Sequence, residues 1–218
     1  MNIKEHKITF NNQELLLNNQ RTIYWPAENA LILSDLHLGK AAHFRKHGIP
    51  IPTETSTSDL QRLADLIDHY QVTNLLVVGD LIHAGINLEV ELLKKFTQAY
   101  PQLIVHLIAG NHDKQVKKLV DQLGLIYHSD QFELMQIHFQ HQPSSDNTFF
   151  NISGHIHPGI SILLPPKKQL RLPCFWVSEK QIILPAFSKF TGLDSREMPA
   201  TYCCYAIQDD LLLPITNR

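Results

Sequence analysis

Leu75-Leu76-Val77-Val78-Gly79-Asp80-Leu81-Ile82-His83 runs apolar for the length of one strand, stops on a glycine, and then presents an aspartate and a histidine. A short unbroken apolar run of this kind reads as a strand buried on both faces. The same grammar recurs on either side. Upstream, Leu31-Ile32-Leu33-Ser34 ends on Asp35-Leu36-His37; downstream, Leu103-Ile104-Val105-His106-Leu107-Ile108 leads into Gly110-Asn111-His112-Asp113. Between these runs lie helical patterns. Leu60, Leu63, Leu66 and Ile67 recur at helical spacing over residues 58–70, after a Thr/Ser cluster that supplies N-cap residues. Residues 88–100 carry Leu92, Leu93 and Phe96 and stop at Pro101, and residues 114–123 form a third helix closed by Gly124. Strand and helix in alternation predict an α/β fold with parallel pairing. Polar residues at the carboxyl ends of such strands converge on the crevice where open α/β sheets bind ligands.

Outward from this centre the pattern turns to strands. Residues 8–10, 14–17 and 22–25 precede the first long apolar run, separated by Asn/Gln-rich turns and Pro26. After residue 125, strands are predicted at 132–139, 160–164, 170–177, 181–184 and 201–207, with Ser178-Glu179-Lys180 as a hairpin connection. Two further motifs sit here. His141 closes the stretch that begins at Phe132, and Gly154-His155-Ile156-His157 follows the run from Phe149 to Ser153. No repeat or long linker divides the chain, so residues 1–218 read as a single domain, a length that supports a full core.

Composition narrows the class. An apolar share of 44% and a charged share of 18% are those of an ordinary globular protein. The start, Met1-Asn2-Ile3-Lys4-Glu5-His6-Lys7, lacks the pattern of a signal peptide, and no run approaches the ~20 apolar residues that cross a bilayer. The expected address is the cytoplasm, with no membrane partner. Cys174, Cys203 and Cys204 make an odd count with a vicinal pair, which suits reduced thiols; neighbours on a strand face opposite ways, so core packing is favoured over joint metal binding. The net charge of −2 gives no global electrostatic reason to expect nucleic acid.

Taken alone, each motif has an ordinary explanation. Asp-x-His occurs by chance, Gly110-Asn111 is a turn dipeptide, and Asp113 can cap a helix. Five in order, most of them closing apolar runs, instead make the ligand set of a dinuclear metal centre, and so point to an enzyme. Imidazole mixed with carboxylate suits Mn²⁺, Fe²⁺ or Zn²⁺ better than Ca²⁺ or Mg²⁺. Asp-x-His puts both side chains on one side of an extended segment, and His155 with His157 does the same if that segment is extended.

Asp35-x-His37, Gly79-Asp80-x-x-His83, Gly110-Asn111-His112-Asp113, His141 and Gly154-His155-x-His157 resemble the calcineurin-like metallophosphoesterases over residues 31–158. That resemblance implies a four-layer α/β/β/α sandwich of two mixed β-sheets flanked by helices. Residues 38–52, the stretch Gly79-Asp80-Leu81-Ile82-His83-Ala84, and residues 184–192 are similar to the bacterial ligase-associated DNA damage response phosphoesterases, the PdeM group. The chain departs from that pattern at Ser188-Lys189 and Leu193, where relatives are more glycine-rich.

The resemblance implies that Asp35, His37 and His157 hold one metal ion, that Asn111, His141 and His155 hold the other, and that Asp80 bridges them. Mn²⁺ is the expected ion of both sites. His138 competes with His141, but Gln142-Pro143 after His141 matches the family. Two divalent ions against Asp35 and Asp80 leave a formal charge of about +2, so a near-neutral protein can still present a positive cavity to phosphate. His112 is the candidate for protonating the leaving oxygen, with Asp113 orienting it. Lys40, His43, Arg45 and Lys46 form a basic cluster with two readings, contact with a phosphate backbone or a solvated loop. His83 lines the site, while Trp25, Trp176 and Phe187 belong to the core. The implied activity is a phosphodiesterase or DNA endonuclease of DNA repair, with DNA ligase or helicase proteins as partners. The alternative is a small phosphorylated metabolite as substrate.

Overall fold

The computed structural model describes residues 1–40, 55–83, 86–146, 148–166, 168–194 and 198–215. His43, Arg45 and Lys46 of the basic cluster lie outside the described residues. The first sheet is mixed. β1 (Glu5–Phe10), β2 (Gln13–Asn18), β3 (Ile23–Trp25) and β4 (Ala30–Leu33) pair antiparallel in sequence order. From β4 the pairing turns parallel through β5 (Asn74–Val78), β6 (Ile104–Ile108) and β7 (Leu125–His128). Helices α1 (Thr55–Tyr70) and α2 (Ile86–Ala99) make the crossovers β4–β5 and β5–β6. Apart from Asn74 and His106, the central strands run apolar because both faces are covered. Leu31, Leu33, Leu75, Val77 and Leu107 pack with Leu63, Leu66 and Leu93 of the helices, whereas Ile32, Leu76, Val78 and Ile108 face a second sheet. Each fully buried side chain of this size contributes roughly 1.5–3 kcal/mol.

The second sheet is also mixed, in the order β15 (Leu211–Ile215), β14 (Cys203–Gln208), β12 (Lys168–Val177), β13 (Gln181–Ile183), β10 (Phe150–Ser153), β9 (Ile137–Gln140), β8 (Gln131–Leu134). β11 (Gly159–Leu164) pairs with the first part of β12. Trp25, Phe139, Ile152, Phe175 and Ile182 fill the space between the sheets. Two mixed sheets with flanking helices are thus the expected sandwich. Among the described residues the helices lie on the first sheet. The outer face of the second is covered by Ile160 and Ile162 of β11 together with Met198 and Tyr202.

Three local differences have physical causes. Residues 132–139 are not one strand but the hairpin β8–β9, turning at Met135 and Gln136 with φ of 50° and 60°. Asn11 Nδ2 donates to both of their carbonyls, at 3.1 and 3.3 Å, a long-range clamp without local signature. Residues 114–123 are mostly 3₁₀ helix, over Asp113–Leu119, before a short α3 (Val120–Leu123). Asp113 and Val116 are buried and Leu119 packs against the core, a spacing of three that a three-residue turn places on one face. β15 carries Pro214, which an edge strand tolerates. Trp25, Trp176 and Phe187 are core residues, and Cys203 is exposed while Cys204 is buried. No helix among the described residues is long and apolar enough to cross a membrane.

Candidate metal centre

The motifs meet where β4, β5, β6 and β10 end. Two loops are laced together first. Asp35 N–H donates to Gly79 O, His37 N–H to Asp80 O, and Leu38 N–H to Leu81 O, at 2.9–3.0 Å. Asp113 fixes one of them from beneath. Its carboxylate accepts from the N–H groups of Asp80 at 2.7 Å, Leu81 at 3.0 Å, Ile82 at 3.4 Å and Gly110 at 2.9 Å. Burial and the nearby Asp80 charge push this carboxyl upward, and the amides of Gly110, Ile82 and Leu81 oppose that. The sequence expectation that Asp113 orients His112 is therefore corrected. Both its oxygens are engaged with backbone amides, and it shapes the Asp80 loop.

The Asp-x-His and His-x-His segments are not extended. Asp35, His37, Asp80, His155 and His157 all have left-handed φ, between 47° and 68°. The consequence differs for the two pairs. Asp35 and His37 still face one another, with His37 Nε2 3.5 Å from Asp35 Oδ1. His155 and His157 diverge. His157 Nε2 lies 3.0 Å from Asp35 Oδ1 and 3.4 Å from His37 Nε2. His155 Nδ1 lies 3.2 Å from His141 Nε2 and 3.3 Å from Asn111 Nδ2. Asp80 stands between, its Oδ2 3.4 Å from His141 Nε2 and 3.9 Å from His37 Nε2.

The residues fit a pair of divalent ions. Asp35, His37 and His157 form one group whose ligand atoms lie within 4.8 Å of one another, and Asp35, Asp80 and His141 form another. Asp35 Oδ1 is fully buried and close to two imidazoles, yet it makes no aligned hydrogen bond. Lone pairs that converge without a proton between them are what a cation requires. His141 Nδ1 donates to Val78 O at 3.0 Å, which leaves the lone pair on Nε2, the atom that faces Asp80. Asn111 joins the set through Oδ1, which a half-turn of its amide brings to the position that Nδ2 takes beside His155.

The field of the site favours positive charge. Burial alone would lower His141, but Asp80 and Asp35 hold it up at about 9. Burial would raise Asp35, but His157 and His37 hold its carboxyl well below the usual carboxylate range. Asp80 is likewise lowered, by His141 and the His112 amide against its burial. His37 and His155 are both lowered, first by burial, which favours the neutral imidazole with one ring nitrogen unprotonated.

His112 sits at the mouth, its side chain 41% exposed and its Nε2 3.9 Å from Asp80 Oδ2. His83 packs on it, ring centres 4.4 Å apart. Lys40 is lowered by burial while Asp35 and Asp80 pull it back up, which places its ammonium within their field. His138 is elsewhere, 3.5 Å from Glu133. Sequence reasoning missed the part played by glycine. A Cβ at Gly79, whose φ is +85°, would lie 2.0 Å from His141 Nδ1, and one at Gly110 would lie 2.2 Å from Asp80 Oδ1. The glycine that heads three of the motifs, Gly79, Gly110 and Gly154, was the available signal.

A family profile of calcineurin-like phosphoesterases matches residues 29–213. Among curated proteins nothing matches. The crystal structure of Pseudomonas putida nuclease MPE is similar to this chain at 28% identity, with a TM-score of 0.83, covering 97% of this chain and 100% of that one. The phosphoesterase Yfce from E. coli also aligns, at 15% identity and a TM-score of 0.43, over 86% of this chain and 92% of its own.

Proposed function

Because this chain belongs to the calcineurin-like phosphoesterase family, we propose that it is a two-metal phosphodiesterase that cuts DNA in bacterial DNA repair. It is a metal-dependent hydrolase of phosphoric esters. The observation that carries the finer reading is the position of Asp80, one carboxylate oxygen facing His141, His37 and His112 together. In this reading Asp35, His37 and His157 hold one ion, Asn111, His141 and His155 the other, and Asp80 both, within one catalytic domain of residues 1–218. Mn²⁺ is the proposed ion, with Fe²⁺ or Zn²⁺ as alternatives suited to mixed imidazole and carboxylate ligands. When bound, the ions supply positive charge to the phosphate and Lewis acidity at its oxygens.

The chain's own groups do the rest. His112 Nε2 delivers a proton to the departing oxygen, from a ring open to the mouth yet held against His83. Lys40 adds a cation for the non-bridging oxygens, at an entrance where burial strengthens each charge. DNA as substrate is supported by the full-length likeness to a nuclease, and the repair setting by the resemblance at residues 38–52 and 184–192. The same resemblance supports DNA ligase or helicase proteins as partners. A net charge of −2 favours a second reading, a small phosphorylated metabolite, since nucleic-acid surfaces are usually basic.

The test compares bis-p-nitrophenyl phosphate with p-nitrophenyl phosphate on chelated enzyme reloaded with Mn²⁺. A clear Mn²⁺-dependent preference for the diester is the expected result and leads on to DNA. Preference for the monoester would move the substrate to the small-molecule class.

A further inference from the structure

Arg21, Asp59 and Arg62 lie outside the ligand set, yet their hydrogen bonds lead to it. Asp59 and Arg62 are three residues apart on α1 and only 3% and 7% exposed. Arg62 Nη2 donates to Asp59 Oδ1 at 3.1 Å and to Phe187 O. Its guanidinium also lies 4.0 Å above the Phe187 ring. Arg21, in a left-handed turn between β2 and β3, donates through Nη1 to Ala186 O at 3.1 Å and Ser188 O at 2.9 Å. Three successive carbonyls, 186 to 188, therefore all accept from guanidinium groups. Asp59 takes the Ser188 side chain and the Lys189 amide. The amides of the same segment serve the metal centre. Phe187 N–H donates to Ser34 O at 2.8 Å and Ser188 N–H to Asp35 O at 3.2 Å.

Two guanidinium groups, the buried Arg62 and the part-buried Arg21, stand against one carboxylate, and Arg62 Nε is buried without a hydrogen-bond partner, an arrangement that costs stability. The strain is visible in Arg21, which burial and the neighbouring Arg62 push down to about 10 although Asp59 opposes them. Arginine is suited to this place because its planar fork reaches several oxygens at once, which a lysine ammonium at the same distance does not. The other end of the strut needs a restraint. Asp35 holds a left-handed φ of 56°, a conformation that most residues with a side chain avoid. Such a conformation persists only where its surroundings impose it.

We propose that Arg62, held by Asp59, and Arg21 are positioning residues that act through segment 186–188 to hold Asp35 in place for its half of the metal centre. This rests on the ligand assignment above. It also gives a task to the Ala186-Phe187-Ser188 stretch, which is otherwise only a mark of resemblance. It predicts an effect on one ion and not on both.

The experiment is a Mn²⁺ titration of chelated protein by calorimetry, without substrate, for Arg62→Lys and Arg21→Lys. His37→Ala and His141→Ala identify the binding event that belongs to each half. Both lysine variants keep the charge and lose the fork, and Arg21, being less buried, reports even if Arg62→Lys melts. The expected result is a loss of ~10-fold or more in the event missing from His37→Ala, the scale of an outer support of a metal site. The event missing from His141→Ala should stay within about threefold, as for sites that do not couple. Unchanged affinities overturn the proposal, and so does an equal fall in both, which a general loosening of the fold would give. If His37→Ala keeps both events, the ligand assignment has failed and takes this inference with it. If His37→Ala loses one event while neither lysine variant weakens it, the inference alone has failed.

Discussion

Asp35 and His37 are 0% and 4% exposed and stand with the half-buried His157, whereas the other group has one buried member, His141, beside the half-buried His155 and the exposed Asn111. The supports differ in the same sense. The inner group is tied through backbone hydrogen bonds to Gly79, Asp80 and segment 186–188, and the buried Arg62 and part-buried Arg21 stand behind that segment. The outer group is tied by Gly154 N–H to His141 O and His155 N–H to Asp35 Oδ2, both at 3.0 Å, and by His141 Nδ1 to Val78 O, while Asn111 faces an exposed Gln142 at 3.4 Å. Buried supports resist displacement because an unmade hydrogen bond there costs its full desolvation, while an exposed one is replaced by water. The inner group should therefore be the tighter and slower to exchange its ion, and the outer one the more labile.

Asp80 is where the comparison should vanish. Asp80→Asn removes the charge that both groups share, and the N–H acceptor of His112 changes with it. Both ions should weaken together, and activity should fall by more than the ~10²–10⁴-fold of a general acid alone. Metal content by elemental analysis beside turnover decides it. Two ions retained with full activity would remove Asp80 from the bridging position.

His112→Ala tests chemistry without touching either group. Metal content should stay at the wild-type level while turnover of an ester with a poor leaving group drops ~10²–10⁴-fold. The loss should shrink for a p-nitrophenolate leaving group, which hardly needs a proton. An equal loss on both esters would instead make His112 a phosphate-binding residue.

The inner and outer groups were not equally legible in the sequence. The strands that deliver both groups were, since Leu31–Leu33, Leu75–Val78 and Val105–Ile108 are apolar on two faces and only a layered sandwich buries them so. The motifs were legible as a set because each begins where an apolar run ends. What could not be read was the backbone between the ligands. Left-handed φ at Asp35, His37, His155 and His157 comes from hydrogen bonds to distant segments, so an extended reading of Asp-x-His gave the right partner for Asp35 by a wrong geometry. The strut was invisible for the same reason. Its bonds join residues up to 167 positions apart, and Arg21, Asp59 and Arg62 carry no local pattern that sets them apart from surface charges. Asp113 looked like a helix cap because a 3₁₀ turn and an Asp-bound loop share the same residue type.

Gly79→Ala sharpens the comparison from the outer side, with the smallest expected effect. The glycine has φ of +85° and its missing Cβ would meet the His141 ring, which cannot yield without giving up either Val78 O or the approach to Asp80. The backbone penalty is ~1–2 kcal/mol, so the protein should still fold. The ion of the Asn111, His141 and His155 group should weaken ~10–100-fold, as when the support of a ligating imidazole is removed. The inner ion should weaken less, because Asp35 takes its hold from Ser188 as well as from Gly79 O. Paired with Arg62→Lys, the substitution makes a crossed test, each variant striking one affinity and sparing the other. If Gly79→Ala lowers both affinities alike, the two groups share one scaffold, and the division between a buried and an edge-held half is wrong.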